Sequence, residues 1–130
     1  MIVVDSSAWV EFLRHTGSSV DEALTTALAE DVVLGVVDVV RLEVLAGAVS
    51  DEQLVVLSRL LARGRALPAK SPADHEHAAM LYRAARRSGE TVRSLIDCLV
   101  AAVALRVDAP VLARDRDFEI LAGVSRLRLA

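Results

Sequence analysis

The chain has few of the residues on which secreted and membrane proteins depend. Its single cysteine, Cys98, excludes an internal disulfide bond. No apolar run approaches the ~20 residues that a membrane-spanning helix needs, and the run Cys98–Leu105 lies between Asp97 and Arg106. The first residues, MIVVDSS, lack the basic segment with which a signal peptide begins. We therefore expect a cytoplasmic protein that does not enter a membrane.

Aromatic residues make up only 3% of the chain, and lysine occurs once, at Lys70. The net charge of −3 excludes a protein that holds nucleic acid by bulk positive charge alone. The other 14 of the 15 basic residues are Arg, the better fork for phosphate, although a biased genomic base composition explains the same usage. The hydrophobic content of 54% indicates either a surface that a partner covers or a well-filled aliphatic core.

The length of 130 residues is that of one domain, spanning residues 1–130. Short β-branched runs alternate with helical patterns, which is typical of an α/β fold with a mainly parallel sheet. The predicted strands are Ile2–Val4, Val32–Val37, Val111–Ala113 and Val124–Leu129. The predicted helices are Ser6–Leu13, Ser19–Ala29 with a capping box of Ser19 and Glu22, Val39–Val49, Ser50–Arg63, Ser71–Gly89, and one from Ser94 that ends before Asp108.

Acidic residues follow the predicted strands or lie near the starts of the predicted helices. Asp5 comes directly after the first strand, and Asp115 comes shortly after the strand that begins at Val111. Glu43 and Asp97 lie within one or two turns of helix starts. Sites in open parallel sheets gather beyond the carboxyl ends of the strands. We therefore expect these four acids to meet at one place, where hard oxygen ligands suit Mg²⁺ or Mn²⁺.

Each acid also has a purely structural explanation. Asp5 is placed to cap the helix that follows it, and Asp97 is placed to complete a capping box with Ser94. Asp115 and Asp117 are compatible with a solvated loop. These alternatives stay open residue by residue, and only the set as a whole favours a site.

Glu43 is harder to explain as a surface residue. It shares one helical stripe with Val40, Val44 and Gly47. Residues three and four positions apart lie on the same helix face. The pattern therefore predicts that Glu43 faces inward.

Four segments carry these acids in order along the chain. They are Ile-Val-Val-Asp5-Ser-Ser-Ala-Trp, Val-Val-Arg-Leu-Glu43-Val-Leu-Ala-Gly-Ala, Arg-Ser-Leu-Ile-Asp97-Cys-Leu-Val-Ala-Ala and Leu-Ala-Arg-Asp115-Arg-Asp117-Phe-Glu. Together they resemble the four motifs of PIN-domain ribonucleases, and the compact length resembles the VapC toxins among them. The resemblance implies an α/β/α sandwich with a mainly parallel central sheet, a divalent cation (Mg²⁺ or Mn²⁺) and endonucleolytic cleavage of RNA.

The resemblance also implies roles for the acids. Asp5 and Asp97 would be the main metal ligands, Asp115 would complete the site, and Asp117 would lie near it. Glu43 would hold a water at the metal or a second cation.

Two hydroxyl residues would support the acids. Ser6 or Ser7 would hydrogen-bond to Asp5 or to the scissile phosphate. Ala113 departs from the pattern of many relatives, which have a hydroxyl residue or His at this position. A supporting hydrogen bond is therefore expected to be missing there.

Toxins of this type pair with a small antitoxin, here expected to be VapB-like, and usually form homodimers. The segment Leu54–Ala62 is apolar on most sides, which fits either a partner-binding helix or a helix of the core. An Arg of the antitoxin is expected to pair with Asp5 or Asp97 and so to block both metal and RNA.

Three other functions compete with this one. A housekeeping PIN nuclease would have the same site without an antitoxin, and an inert PIN-like scaffold would only bind partners. A phosphoacceptor receiver domain also has an Asp after its first strand, but it needs a Lys near its last strands, where this chain has none; Lys70 lies elsewhere.

Overall fold

A four-stranded sheet with helices packed against it forms the structure, a computed structural model that describes residues 1–130. The strands are β1 (Ile2–Val4), β2 (Leu34–Val37), β3 (Arg65–Leu67) and β4 (Val111–Leu112). The helices are α1 (Ser6–Leu13), α2 (Ser19–Ala29), α3 (Asp38–Ala46), α4 (Asp51–Ala62), α5 (Ala73–Arg87), α6 (Leu95–Arg106) and α7 (Arg116–Gly123). None of the helices is both long and apolar enough to cross a membrane.

The strands are all parallel and are arranged in the order β3-β2-β1-β4. Val3 in the central strand β1 pairs with Gly35 on one side and with Val111 on the other. The chain moves outward from β1 through β2 to β3, and then returns past β1 to form β4. The strand order therefore reverses between β1 and β4. Open parallel sheets bind ligands in the crevice at such a reversal, beyond the carboxyl ends of the strands.

The connections between strands place helices on both faces of the sheet. Connections between parallel strands are almost always right-handed. Those that contain α1 to α4 run one way across the sheet, whereas the connection that contains α5 and α6 runs the opposite way. The two groups of helices therefore cover opposite faces, and α1 packs against α2 and α3 while α5 packs against α6. This is the predicted α/β/α sandwich with a parallel central sheet.

Helix α6 passes through the hydrophobic core. All residues from Val100 to Ala104 have no exposed surface, as expected of a helix that is apolar on every side. They belong to one cluster of 31 buried hydrophobic residues that also contains Val3 and Val4 of β1. Burial fixes the axis of α6, and its first turn therefore holds Asp97 at a defined place beside the sheet.

Two elements of the structure, β3 and α7, were not predicted, and one predicted strand is absent. Strand β3 was not predicted because two of its three residues, Arg65 and Ala66, are exposed and show no apolar run. Helix α7 was not predicted either, because the pattern of Arg and Asp before Phe118 also fits a loop. The predicted strand Val124–Leu129 is wrong, since only Leu129 pairs with the sheet, through one bridge to Val111.

Helix starts follow the predicted caps in α4 and α6 but not in α2 or α5; the cap of α5 is Pro72 instead of Ser71, with no side-chain hydrogen bond. Ser50 and Ser94 cap α4 and α6 through their side chains, as predicted. The cap of α2 is Ser18, whose Oγ accepts a hydrogen bond from the Asp21 N–H at 3.2 Å. The predicted capping box of Ser19 and Glu22 is therefore wrong by one residue.

Two predicted boundaries run too far. Val32 does not belong to β2, because its N–H closes the end of α2 by donating to the Ala27 carbonyl at 3.0 Å. Helix α3 ends at Ala46 instead of Val49, because the Gly47 N–H makes the last hydrogen bonds of the helix.

Candidate active site

The four acids that the sequence singles out line one open pocket of about 400 Å³. Asp5 follows β1 and Asp115 lies beyond β4, so these two flank the reversal of strand order. Asp97 lies in the first turn of α6, and Glu43 reaches the pocket from α3. The structure thus brings four distant segments together at the crevice that the topology creates.

Asp5 caps a helix and also presents a free oxygen. It is 1% exposed, and its Oδ2 accepts hydrogen bonds from the Ser7 N–H at 3.0 Å and the Ser7 hydroxyl at 2.6 Å. Its Oδ1 is buried without any hydrogen-bond partner. The two interpretations of Asp5 therefore do not exclude each other, because capping uses only one of the two oxygens.

Asp97 does not complete the predicted capping box. The Ser94 hydroxyl caps α6 by accepting a hydrogen bond from the Ile96 N–H at 3.2 Å. The N–H of Ser94 donates to Asp117 at 3.1 Å instead of to Asp97. Asp97 is 6% exposed, and its Oδ2 has no hydrogen-bond partner. The structural explanation of Asp97 is thus wrong, and its buried carboxyl group needs another one.

Asp117 performs the capping that the sequence attributes to Asp97. It is 2% exposed and accepts hydrogen bonds from the N–H groups of Arg93 at 3.0 Å and Ser94 at 3.1 Å. These bonds tie α7 to the start of α6 and so help to position Asp97. Sequence alone could not show this, because the two residues are distant along the chain.

Asp115 caps α7 and faces the same acids. Its Oδ1 accepts a hydrogen bond from the Asp117 N–H at 2.9 Å. Carboxylate oxygens of Asp97, Asp115 and Asp117 lie within 4.8 Å of one another, a spacing at which they could hold a metal ion. Asp5 and Glu43 line the shared pocket but do not belong to this close group.

Glu43 faces the open pocket and not the core. It is exposed, although its neighbours Val40 and Val44 on the helix are buried. The prediction that it faces inward is wrong. Val40 and Val44 pack into the core, whereas Glu43 lies at the edge of this helix face and lines the pocket. The Ser6 hydroxyl donates to its Oε1 at 3.1 Å.

Ser7 joins two sides of the pocket. Its hydroxyl donates to Asp5 and accepts a hydrogen bond from the Arg114 N–H at 2.9 Å. The loop that carries Asp115 is therefore held to β1 through a chain of hydrogen bonds. Ala113 supplies no side-chain hydrogen bond, and Ser7 ties down this loop from the opposite side.

The crowding of acids shifts their protonation. Burial, and then the hydrogen bond to Asp117 and the charges of Asp5, Asp115 and Asp117, raise the pKa of Asp97 to about 9. Burial also raises the pKa of Asp5, against the opposing effect of its bonds to Ser7. Burial and the nearby charges of Asp5 and Asp115 raise the pKa of Glu43, which its bond to Ser6 partly opposes. Without a cation, the site therefore favours a proton on Asp97.

Three further charged residues on the pocket wall were not singled out by the sequence. They are Glu11 and Arg14 on and just after α1, and Arg114 in the loop after β4. Glu11 and Arg114 form an ion pair of 2.7 Å. Glu11 and Arg14 are three positions apart at the end of α1, the helix that Asp5 caps, and this spacing is the signal that could have found two of them.

Comparisons with known proteins agree with this geometry. The family model described as PIN domain matches residues 2–124. The ribonuclease VapC11 of Mycobacterium tuberculosis is 40% identical over 131 residues, which cover 100% of this chain and 98% of the relative. The crystal structure of VapBC2 from Rickettsia felis, bound to a promoter DNA fragment, has a TM-score of 0.76 at 16% identity and covers 100% of this chain and 98% of its own. The crystal structure of VapC20 from Mycobacterium tuberculosis, described as a toxin that cleaves the sarcin-ricin loop, has a TM-score of 0.69 at 21% identity. The match covers 98% of this chain and 99% of that one. The two structures share the fold.

Replacement of Asp97 by Asn tests the electrostatic cost of the site. The folded protein holds a proton on Asp97 up to a pKa of about 9, whereas the unfolded chain releases it near 3.8. The contribution of Asp97 to stability is therefore fully present below about pH 4 and is lost as pH rises toward 9. Asp97→Asn removes this loss, so the melting temperature of the metal-free variant should exceed that of the wild type by about 5 °C or more at pH 8. The difference should shrink toward zero near pH 4.

Thermal melts in EDTA at several pH values measure this difference. Glu30→Gln, which removes an exposed carboxylate at the end of α2, is the control and should show no comparable trend. A difference between Asp97→Asn and wild type that is constant with pH would contradict the buried, protonated Asp97.

Two substitutions of Asp117 separate positioning from metal binding. If Asp117 positions α6, Asp117→Asn keeps an oxygen for the N–H groups and should retain RNA cleavage within about tenfold. Asp117→Ala leaves those N–H groups unpaired and should destabilise the fold by roughly 1–3 kcal/mol. Asp115→Asn, which can still cap α7, is the matched comparison and should lose cleavage by far more. Equal loss in Asp115→Asn and Asp117→Asn would make Asp117 a ligand.

Proposed function

The chain belongs to the PIN-domain family, and because it matches a VapC ribonuclease along its whole length, we propose that it is a metal-dependent endoribonuclease and the toxin of a toxin–antitoxin pair. Its substrate is RNA in the cytoplasm, and the reaction is hydrolysis of a phosphodiester bond. The ribonuclease activity follows the 40% identity to ribonuclease VapC11, and the toxin role follows the likeness to the toxin VapC20.

One observation carries the catalytic part of this proposal. Asp5 and Asp97 are both buried, and the charge of Asp5 acts on Asp97. Each keeps one carboxylate oxygen without a hydrogen-bond partner. Buried polar atoms without partners are costly and rare. A cation bound among these carboxylates would satisfy the free oxygens. The close group of Asp97, Asp115 and Asp117 already has a spacing that fits a metal ion, and Asp5 lines the same pocket.

Asp5, Asp97 and Asp115 are the proposed ligands for Mg²⁺ or Mn²⁺, since all three offer hard oxygens to the pocket. We assign Asp117 a positioning role, because its oxygens already accept the N–H groups of Arg93 and Ser94. A bound divalent cation would supply Lewis acidity at a phosphate oxygen and would lower the pKa of the attacking water.

Glu43 is the proposed proton acceptor of the reaction. Ser6 donates to its Oε1, which orients the carboxylate and leaves Oε2 free to take a proton from the attacking water. Its raised pKa, caused by burial and by the charges of Asp5 and Asp115, makes it a better base than an ordinary glutamate. Its exposure lets water reach it directly.

An apolar groove beside the acidic pocket supports the antitoxin part of the proposal. Five hydrophobic residues from α1, α3 and α4 and the segment between α3 and α4 line it: Val10, Leu13, Val44, Val49 and Leu57. Val49 is 87% exposed, which is costly for a side chain with no partner. A groove of this kind accepts the apolar face of an amphipathic helix.

The predicted partner-binding segment Leu54–Ala62 contributes to both core and surface. Leu57 and Leu61 are buried, whereas Leu54, Val55 and Val56 are exposed. The helix thus packs one side into the fold and leaves another apolar side for a small VapB-like antitoxin. An Arg of that antitoxin, reaching the acids from the groove, would pair with Asp5 or Asp97. A homodimer stays a prediction, which light scattering of the purified protein checks.

Each of the two competing functions within this family leaves one feature of the structure unexplained. A housekeeping PIN nuclease would share the acidic pocket but would have no use for an exposed apolar groove next to it. An inert scaffold would have no use for the free oxygens of Asp5 and Asp97. We therefore favour the toxin over both.

Removal of the metal tests the catalytic proposal. Excess EDTA should abolish RNA cleavage, and added Mg²⁺ or Mn²⁺ should restore it. Metal at 100 times its dissociation constant should stabilise the wild type by about 2.7 kcal/mol, seen as a rise in melting temperature. Asp97→Asn should lose at least about 100-fold in cleavage and most of the metal-dependent rise, because a neutral amide replaces a charged ligand. Undiminished cleavage by the wild type in excess EDTA would count against metal catalysis.

A charge placed in the groove tests the antitoxin proposal. Val49→Asp should prevent co-purification with the product of an adjacent small gene, yet leave RNA cleavage near wild type, because Val49 lies in the groove and outside the acidic pocket. Met80→Asp, an equally drastic change on the exposed side of α5, is the control and should leave binding intact. If the adjacent product neither co-purifies with the wild type nor relieves growth arrest, the protein is a stand-alone nuclease.

A further inference from the structure

Two arginines lie on the wall of a pocket that is otherwise lined by five carboxylates, three serines and one valine. Arg14 follows α1 as its cap, and Arg114 lies in the loop after β4. Both are exposed. They are the only cationic side chains of the pocket lining, and neither bonds to Asp5, Asp97 or Asp115.

Arg114 is held away from the acids in the centre. Its Nη1 lies 2.7 Å from Oε1 of Glu11, whose side chain is only 16% exposed. Its own N–H donates to Ser7, which fixes the backbone at the start of the side chain. A guanidinium group has five donors in a planar fork, so the pairing with Glu11 leaves most of them available to a ligand.

Arg14 lies next to this pair and has no partner of its own. It forms no ion pair in the structure. It follows Glu11 by three positions, and residues at this spacing project from the same face of a helix. Glu11, Arg14 and Arg114 therefore form one group at the side of the pocket, which we call the arginine rim.

We propose that the arginine rim binds an RNA phosphodiester next to the one that is cleaved. The proposal rests on the function above, which places the scissile phosphate at Asp5, Asp97 and Asp115. A pocket of carboxylates repels the rest of an RNA backbone, and Arg14 and Arg114 are the only side chains of its lining whose charge can offset that repulsion. Arginine is suited to the task, because its fork binds phosphate oxygens in pairs.

Glu11 is the positioning residue of the rim. Its carboxylate pairs with the Arg114 guanidinium at 2.7 Å, and the structure has no ion pair between Arg114 and the central acids. Arg14 forms no ion pair and therefore supplies a full positive charge, whereas Arg114 shares its charge with Glu11.

Binding and cleavage measurements on Arg14→Gln and Arg114→Gln test the proposal. The binding probe is a fluorescent single-stranded RNA of about ten nucleotides, followed by anisotropy in EDTA. Each substitution should weaken binding about fivefold to tenfold and reduce the slope of log affinity against log salt by about 0.7, the value for one phosphate contact on a single strand. In cleavage with Mn²⁺, KM should rise by a similar factor while kcat stays within about twofold. Arg87→Gln, which removes an exposed arginine on α5, is the control for lost charge and should change none of these.

The outcomes separate this proposal from the proposed function. Cleavage by the wild type with KM and salt slope unchanged in both variants would overturn the arginine rim and leave the nuclease intact. Binding that depends on both arginines, in a protein that does not cleave RNA with any metal, would support the rim and overturn the nuclease. A loss of kcat without a change in KM or salt slope would assign the arginines a purely structural role and overturn the rim.

Discussion

The repulsion among buried carboxylates at the reversal of strand order is the constraint on which the rest of the structure depends. Asp5 and Asp97 are almost without exposed surface, and each has a free oxygen in a setting that penalises negative charge. A protein could remove this cost by replacing either residue. That it keeps both, with Asp115 beside them, means the fold must offset the repulsion by other means until a cation does so.

Two helix starts and a proton provide that offset. Asp5 is the cap of α1 and Asp115 is the cap of α7, whereas Asp97, whose Oδ2 has no hydrogen-bond partner, keeps its proton up to a pKa of about 9. The N-terminus of a helix carries a partial positive charge and free N–H groups, which stabilise carboxylates. Glu43, by contrast, lies within α3 and has no such support, and it is the acid that remains exposed to water. Exposure and helix position therefore separate Asp5 and Asp97, which are buried, from Glu43, which water can reach, and the proposed roles of ligand and base follow this separation.

Sequence patterns could place the acids but not their hydrogen bonds. The predicted parallel sheet placed Asp5 and Asp115 beyond the carboxyl ends of two strands, and this was enough to expect them at one place; the order of the strands was not predicted. The sequence could not show that Asp117, and not Asp97, accepts the hydrogen bond from the Ser94 N–H at the start of α6, because Asp117 lies 23 positions from Ser94. Strand β3 was missed for a related reason: Arg65 and Ala66 join the sheet through backbone pairing with β2 and bury no side chain.

The acidic pocket and the apolar groove share one wall. Ser6, Val10, Arg14 and Glu43 line both the acidic pocket and the apolar groove, so the two are one continuous surface. An occupant of the groove therefore covers Arg14 and Glu43 even where it does not reach the buried acids. It would remove the proposed phosphate contact and the proposed proton acceptor together, while a metal could remain in place. Inhibition by a partner then requires only that the groove be filled, and an arginine inserted among Asp5 and Asp97 would add affinity to a block that already exists.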